Sequence, residues 1–178
     1  MSQRFVAFLR GINVGRAKRV PMAELQAAVT SMGFTDVRTL LNSGNVVCTG
    51  PRQPTADVAR SIEEAVLSRT GVDSRVTVLT RERFTEILEA NPLVAHVTDR
   101  SRAVVAFLRE PSRAQAALAP LVERSWAPEL IAVSAEAAYL WCPQGLSGGA
   151  LAEAVDKSLR DQVTMRNLAT VARVQALL

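Results

Sequence analysis

Apolar residues recur along the chain in two rhythms, and their alternation predicts the elements. Phe5 to Leu9 is an apolar run of strand length. Leu25, Ala28, Val29 and Met32 then fall at i, i+3, i+4 and i+7, the spacing of one buried helix face. Gly33 suits the left-handed position just past a helix, with Phe34 placed to fold back on Val29. Two strands follow, Val37 to Leu41 and Val46 to Thr49, with turn chemistry at Ser43-Gly44-Asn45 between them. A second helix carries Val58, Ile62, Ala65 and Val66 inward and ends at Gly71, before a strand from Arg75 to Leu79.

The series then starts again. Val6-Ala7-Phe8-Leu9-Arg10 returns as Val105-Ala106-Phe107-Leu108-Arg109. Ser112 with Gln115 predicts a capping box for a helix burying Ala114, Leu118, Leu121 and Val122. Leu130 to Val133 and Ala138 to Trp141 read as a hairpin, and Ser147 is placed to cap a helix carrying Leu151, Val155 and Leu159. Counting along the two copies puts Cys48 and Cys142 in matching places. Gln162 to Met165 supplies a last strand, and a terminal helix from Asn167 to Leu178 follows, with Leu168, Val171, Ala172 and Leu178 on one face. Strand, helix, strand, strand, helix, strand is the split pattern of a ferredoxin-like sandwich. The expected fold is therefore α+β: two tandem split βαββαβ (ferredoxin-like) halves, antiparallel sheets with helices on one face, and a C-terminal helix. The halves are expected at 1–90, ending in a short helix that Asn91-Pro92 stops, and at 103–178, with 91–102 as linker. Domains this small bury only about 60% of their unfolded surface, so both are expected to pack as one folding unit.

Composition narrows the function classes. No apolar stretch in the 178 residues approaches the roughly 20 needed to span a bilayer, and no leader pattern opens the chain, so a cytoplasmic protein without membrane contact is expected. Two cysteines without zinc-ligand spacing predict packed thiols. The only histidine, His96, leaves no material for a histidine triad or a multi-imidazole metal site, so neither metal nor cofactor is expected. Glu63-Glu64 and the pair Glu153 and Asp156 read as solvated helix exteriors, and Trp126, Tyr139 and Trp141 as packing aromatics. All of the net +4 charge lies in residues 1–80, with ten basic against six acidic side chains. Met1 to Ala23 holds Arg4, Arg10, Arg16, Lys18 and Arg19 and no acid, a cluster that attracts phosphates, carboxylates or nucleic-acid backbone.

Several stretches resemble the bacterial family called domain of unknown function 1697. They are Leu9 to Gly15, Arg19 to Leu25, Gly33 to Thr39 and Ser43 to Val47, with a closing motif Thr164-Met165-Arg166-Asn167 and Thr170. The family usually has an aromatic where Leu40 stands, Gln where Asn42 stands, and Trp where Leu168 stands. The resemblance implies an α+β fold with related halves and brings no assigned activity.

In a split sandwich the loop after the first strand and the tip of the hairpin lie at one end of the sheet. Here these are Gly11 to Val20 and Ser43-Gly44-Asn45, the two densest family motifs. Gly11 and Gly15 allow backbone angles that can aim several N–H groups at one point, and Pro21 suits the start of the next helix. Arg10, Arg16, Lys18 and Arg19 add charge, while Asn13, Ser43 and Asn45 are placed to orient a ligand oxygen. Arg166 and Asn167 would join this site if the tail folds back toward it. The leading expectation is a site for a small phosphate- or carboxylate-bearing ligand, made by Arg10, Gly11, Asn13, Gly15, Arg16, Lys18, Arg19, Ser43, Gly44, Asn45, Arg166 and Asn167. Single-stranded nucleic-acid binding on an open sheet face ranks below it, as does a phosphoryl hydrolase of acylphosphatase type, a topological analogy. Nothing in the residues assigns a catalytic role.

Overall fold

The computed structural model describes residues 1–146 and 149–178. β1 (Ser2–Leu9), α1 (Met22–Ser31), β2 (Thr35–Leu40), β3 (Asn45–Pro51), α2 (Thr55–Thr70) and β4 (Val76–Thr80) form an antiparallel sheet of order β2-β3-β1-β4 with two helices. α3 (Arg81–Glu89) leads to β5 (Ala103–Leu108), α4 (Pro111–Glu123), β6 (Leu130–Val133), β7 (Ala137–Trp141), α5 (Ala150–Leu159), β8 (Val163–Asn167) and α6 (Leu168–Gln175). The second sheet repeats the order, β6-β7-β5-β8. The fold is α+β with two similar halves. Two compact units result, Met1–Phe84 with Arg173–Leu178, and Thr85–Ala172, so the boundaries fall inside α3 and α6. Residues 91–102 lie within the second unit and include a 3-10 turn at Val94–His96. Among the described residues no helix is long and apolar enough to cross a membrane.

In the first unit Phe5, Ala7 and Leu9 of β1 pack with Cys48, with Leu25 and Val29 of α1, and with Val58, Ile62 and Val66 of α2. Each such large side chain taken fully out of water contributes about 1.5–3 kcal/mol. Val6 and Phe8 point to the other side of the sheet and are equally buried, Phe8 meeting the Phe84 ring at 6.1 Å between centroids. A strand buried on both sides explains why Phe5 to Leu9 is continuously apolar. Gly71 ends α2 as expected: at φ +69° it donates its N–H to Leu67 O at 2.8 Å.

The second unit corrects three expectations. Pro111 opens α4 with Glu110 before it, and Ser112 and Gln115 make no capping box. Proline is suited to the first helical position, so the helix starts before Ser112 can cap it. Gln115 instead donates from Nε2 to Ala135 O at 2.8 Å. Val122 is exposed, and the buried face of α4 is Ala114 and Leu118, with Leu121 partly covered. The cysteines are also not equivalent. Cys48 stands opposite Phe5, and the residue opposite the matching Val104 is Leu140, two positions before Cys142. Cross-strand pairing, not the count along the chain, sets this register. Both thiols are nonetheless packed as expected, and burial pushes each up to about 12. Ser147 lies outside the described residues, and Gly149 precedes α5.

Tyr139 is fully buried and donates its hydroxyl to Ile87 O at 2.7 Å. Trp126 donates from Nε1 to Leu121 O at 2.7 Å beneath Arg124, whose guanidinium stands 4.2 Å from the ring. Both are packing aromatics.

Candidate functional site at the end of the first strand

β1 ends in a clamp. Leu9 N–H donates to Gly44 O at 2.8 Å, and Arg10 N–H donates to Arg75 O at 2.9 Å. Ser74 Oγ donates to Arg10 O at 2.8 Å. The loop that follows is stitched by one side chain: Asn13 Nδ2 donates to Val20 O at 2.9 Å and to Asn42 O at 2.8 Å, and Asn13 Oδ1 accepts Val20 N–H at 2.9 Å. Asn13 N–H closes the ring on Lys18 O at 3.0 Å. Ile12 and Val20 are buried beneath it. A Cβ on Gly44 would stand 2.7 Å from Ile12 Cδ1 and 2.8 Å from Leu9 Cβ, so only glycine, here at φ +76°, lets the hairpin tip meet the loop this closely. The loop and the tip do converge.

The contact is structural in its amides. Asn45 is buried and donates from Nδ2 to Leu40 O at 2.7 Å and to Ser43 Oγ at 3.0 Å. Asn13 and Asn45 therefore brace main chain. Pro21 caps α1 rather than starting it, and the first turn of α1 carries Glu24.

What faces solvent is different in character. Gly11 and Gly15, at φ +66° and +62°, are exposed with open space beside them. Arg16, Lys18 and Arg19 are exposed, and no carboxylate pairs with any of them among the described residues. Other arginines of the unit are matched: Arg38 to Asp36 at 3.1 Å, Arg60 to Asp57 at 3.3 Å, Arg69 to Glu24 at 2.9 Å and Arg75 to Glu63 at 3.7 Å. Arg10, at the base of the loop, is half-buried.

Arg166 and Asn167 lie on β8 in the second unit. Arg166 donates from Nη1 to Thr164 Oγ1 at 3.0 Å and to Met165 O at 2.9 Å, and burial pulls its guanidinium down to about 10. Asn167 Oδ1 accepts Thr170 N–H at 2.8 Å at the start of α6, which accounts for the spacing of the closing motif as a helix cap.

Sequence reasoning missed three features. Glu63 is not a solvated exterior residue: its Oε1 accepts Val76 N–H at 2.8 Å and holds the start of β4. Arg4 sits at the far end of β1 from the loop, bonded through Nη1 to Asp36 and Thr49 Oγ1 and through Nη2 to Leu177 O at 2.7 Å. Its hydrogen bond to Asp36 holds that carboxyl below the usual range. Arg4 also lines a groove of about 740 Å³ with Thr49, Arg52, Thr80 and Arg81. The third is a cavity of about 280 Å³ in the second unit. A charge near a strand end carries no periodic signal, so only the position of Glu63 beside the buried Ile62 offered a clue.

Comparison with known proteins agrees with this architecture. A family model described as "Protein of unknown function (DUF1697)" matches residues 2–139. A conserved bacterial protein from Streptococcus pneumoniae is similar in structure, with a TM-score of 0.80 and 23% identity over 99% of each chain. No curated protein matches the sequence.

Proposed function

We propose, starting from a chain that belongs to the DUF1697 family of proteins of unknown function, that the loop Gly11 to Val20 binds a small anion bearing phosphate or carboxylate. Arg16, Lys18 and Arg19 supply the charge, on a loop whose exposed Gly11 and Gly15 leave open space beside them. Arg10 steadies the base, and Asn13, Ser43, Gly44 and Asn45 hold the shape. Arg166 and Asn167 are left out of this reading: Arg166 bonds Thr164 and Met165 of its own strand, and Asn167 caps α6. The observation that carries it is the run of unmatched cations on a stitched loop, beside arginines that face carboxylates elsewhere in the unit. A preorganised loop holds such charges without the ordering cost a floppy one would incur on binding.

The alternatives are weaker. Nucleic-acid binding of the sheet-platform kind needs an open strand face, and Val6 and Phe8 are fully buried on the side away from the helices. A hydrolase of acylphosphatase type needs a free amide beside the cationic loop, and the Asn45 amide is bonded to Leu40 O and Ser43 Oγ.

The test is a titration of ¹⁵N-labelled protein with inorganic phosphate and with citrate. Amides between Gly11 and Arg19 should shift with a saturable dependence, and replacing Arg16, Lys18 and Arg19 together by Ala should weaken binding at least tenfold, about 1.4 kcal/mol. Unmoved loop amides, or a triple variant that titrates like the parent, would remove the proposal.

A further inference from the structure

An open sheet edge presents unpaired main-chain groups, and the edge strands of the two sheets meet that liability differently. β2 carries Asp36 and Arg38 and is interrupted by a register shift between Thr35 and Arg38. Glu63 takes the Val76 N–H of β4, and β8 carries Arg166. β6 is Leu-Ile-Ala-Val, with no charge, no register shift and, among the described residues, no side chain bonded to its amides. The hairpin sets the direction in which its main chain bonds. Ser134 N–H donates to Ala137 O at 2.8 Å, so Ser134, Ala132 and Leu130 turn their main-chain groups to β7. Ile131 and Val133 then turn theirs outward, at the open edge of the order β6-β7-β5-β8. The flank of α4 beside this edge is uncharged as well. Gln115 on that flank donates from Nε2 to Ala135 O at 2.8 Å at the end of β6, and Ala119 and Val122 follow it at i+4 and i+7. Val122 is 47% exposed there.

We propose that β6 pairs edge to edge and antiparallel with β6 of a second copy of this chain, about a two-fold axis through Ala132. The strand is complementary to itself in that register. The outward groups of Ile131 meet those of Val133 in the second copy, and the reciprocal pair forms across the axis, so every outward N–H and C=O of the two residues is taken up. The side chains agree. Residues directly opposite share a face, so Ile131 meets Val133, both β-branched, and Ala132 meets Ala132. Leu130 falls opposite Ser134, and Glu129 opposite Ala135, so no like charges are opposed. The neighbouring registers fit less well. An axis through Ile131 asks for the Glu129 N–H, which is already donated to Trp126 O at 2.9 Å. An axis through Val133 asks for Ala135 O, which already accepts from Gln115. A second copy is therefore the occupant that the edge specifies, because bonding, side-chain faces and charge all fit at one register. Pairing joins the second sheet of each copy into one continuous sheet, and the uncharged flank of α4, with Val122, comes under cover beside the axis.

The experiment follows the full chain by sedimentation equilibrium from micromolar to millimolar concentration and fixes the register by disulfide trapping. The mass should rise from one chain toward two. Opposed residues that exchange no main-chain bond stand about 4.5 Å apart between Cα atoms, within the range a disulfide bridges. The native Cys48 and Cys142 are buried and take no part. Ala132→Cys should therefore cross-link to itself under oxidised glutathione. Leu130→Cys and Ser134→Cys should each stay unlinked alone and cross-link when mixed. Val122→Lys, at an exposed position, should weaken association at least tenfold and leave the thermal midpoint of the dilute chain unchanged. The variant lacking Arg16, Lys18 and Arg19 should associate like the parent, since the edge uses no part of the loop. The mass of one chain at every concentration would overturn the pairing and leave the edge to a strand of another protein. Ala132→Cys linking no faster than Leu130→Cys, or Val122→Lys associating like the parent, would overturn this register even where the mass doubles.

Discussion

At the ends of β1 and β5 the backbone is bonded in the same way. Leu9 and Arg10 donate to Gly44 O and Arg75 O, and Leu108 and Arg109 donate to Glu136 O and Gln162 O. Beyond that point the two units part. Arg10 to Pro21 separates β1 from α1, whereas Arg109 and Glu110 alone separate β5 from α4. The sheet thus dictates where a strand stops but leaves the connection free. Closing twelve residues instead of two costs roughly 1.6 kcal/mol by loop entropy, since the cost grows only with the logarithm of length. The three bonds made by the Asn13 side chain, each worth about 0.5–1.5 kcal/mol, offset it. The long connection covers its strand end and carries unmatched cations, while the short one leaves an open cavity. One scaffold therefore yields two different chemical surfaces at equivalent places.

The sharpest way to break this comparison is Gly44→Ala. It has no counterpart in effect at the open Gly11, because the added methyl meets Leu9 and Ile12 as well as an unfavourable φ. A loss of about 3 kcal/mol is expected in urea unfolding, against about 1 kcal/mol for Gly11→Ala, and equal losses would show that the tip does not pin the loop. Next in size, Asn13→Ala should cost about 2 kcal/mol and speed hydrogen exchange at Val20, whose N–H it leaves unpaired. Unchanged exchange at Val20 would mean that the loop is held by something else.

The thiols give a matched pair for the two units. Cys48 and Cys142 are each raised from 9.0 to about 12 by burial, so the native state keeps both protons where the unfolded state loses them. Stability should fall as pH rises from about 9 toward 10, below the range in which the buried Arg166 titrates, approaching about 1 kcal/mol per pH unit for each thiol. Replacing one cysteine by Ala should remove that cysteine's share of the slope, and an unchanged slope would contradict the burial. Smallest in stability are Arg16→Ala, Lys18→Ala and Arg19→Ala, each expected within about 0.5 kcal/mol of the parent in thermal unfolding because the side chains are exposed and unmatched. A large loss would turn the loop cations into structural residues.

Features that depend on a few adjacent residues are legible in the sequence. The helix ends at Gly33 and Gly71, the hairpin around Gly44 and the order of strands and helices follow from local chemistry and periodicity. Where two local signals competed, the weaker misled: Pro111 started α4 and left the Ser112 and Gln115 pattern without a cap to make. Residues whose partners are distant in sequence were opaque. Glu63 read as solvated because the N–H it accepts, Val76, is supplied by the next strand. Asn13 and Asn45 read as ligand groups because their acceptors, Asn42 O and Leu40 O, are carbonyls that any sequence carries.

The amino-acid order alone determined the family, the α+β class, the two similar halves and the concentration of positive charge after the first strand, because each is written in spacing or composition. Tertiary structure alone decided which polar groups are already satisfied. It bonded the asparagines to main chain, buried both sides of β1, held Arg160 at a glycine's angles and left Gln162 Oε1 without a donor. A hydrogen-bond partner is chosen by distance and direction, and those exist only once the chain has folded.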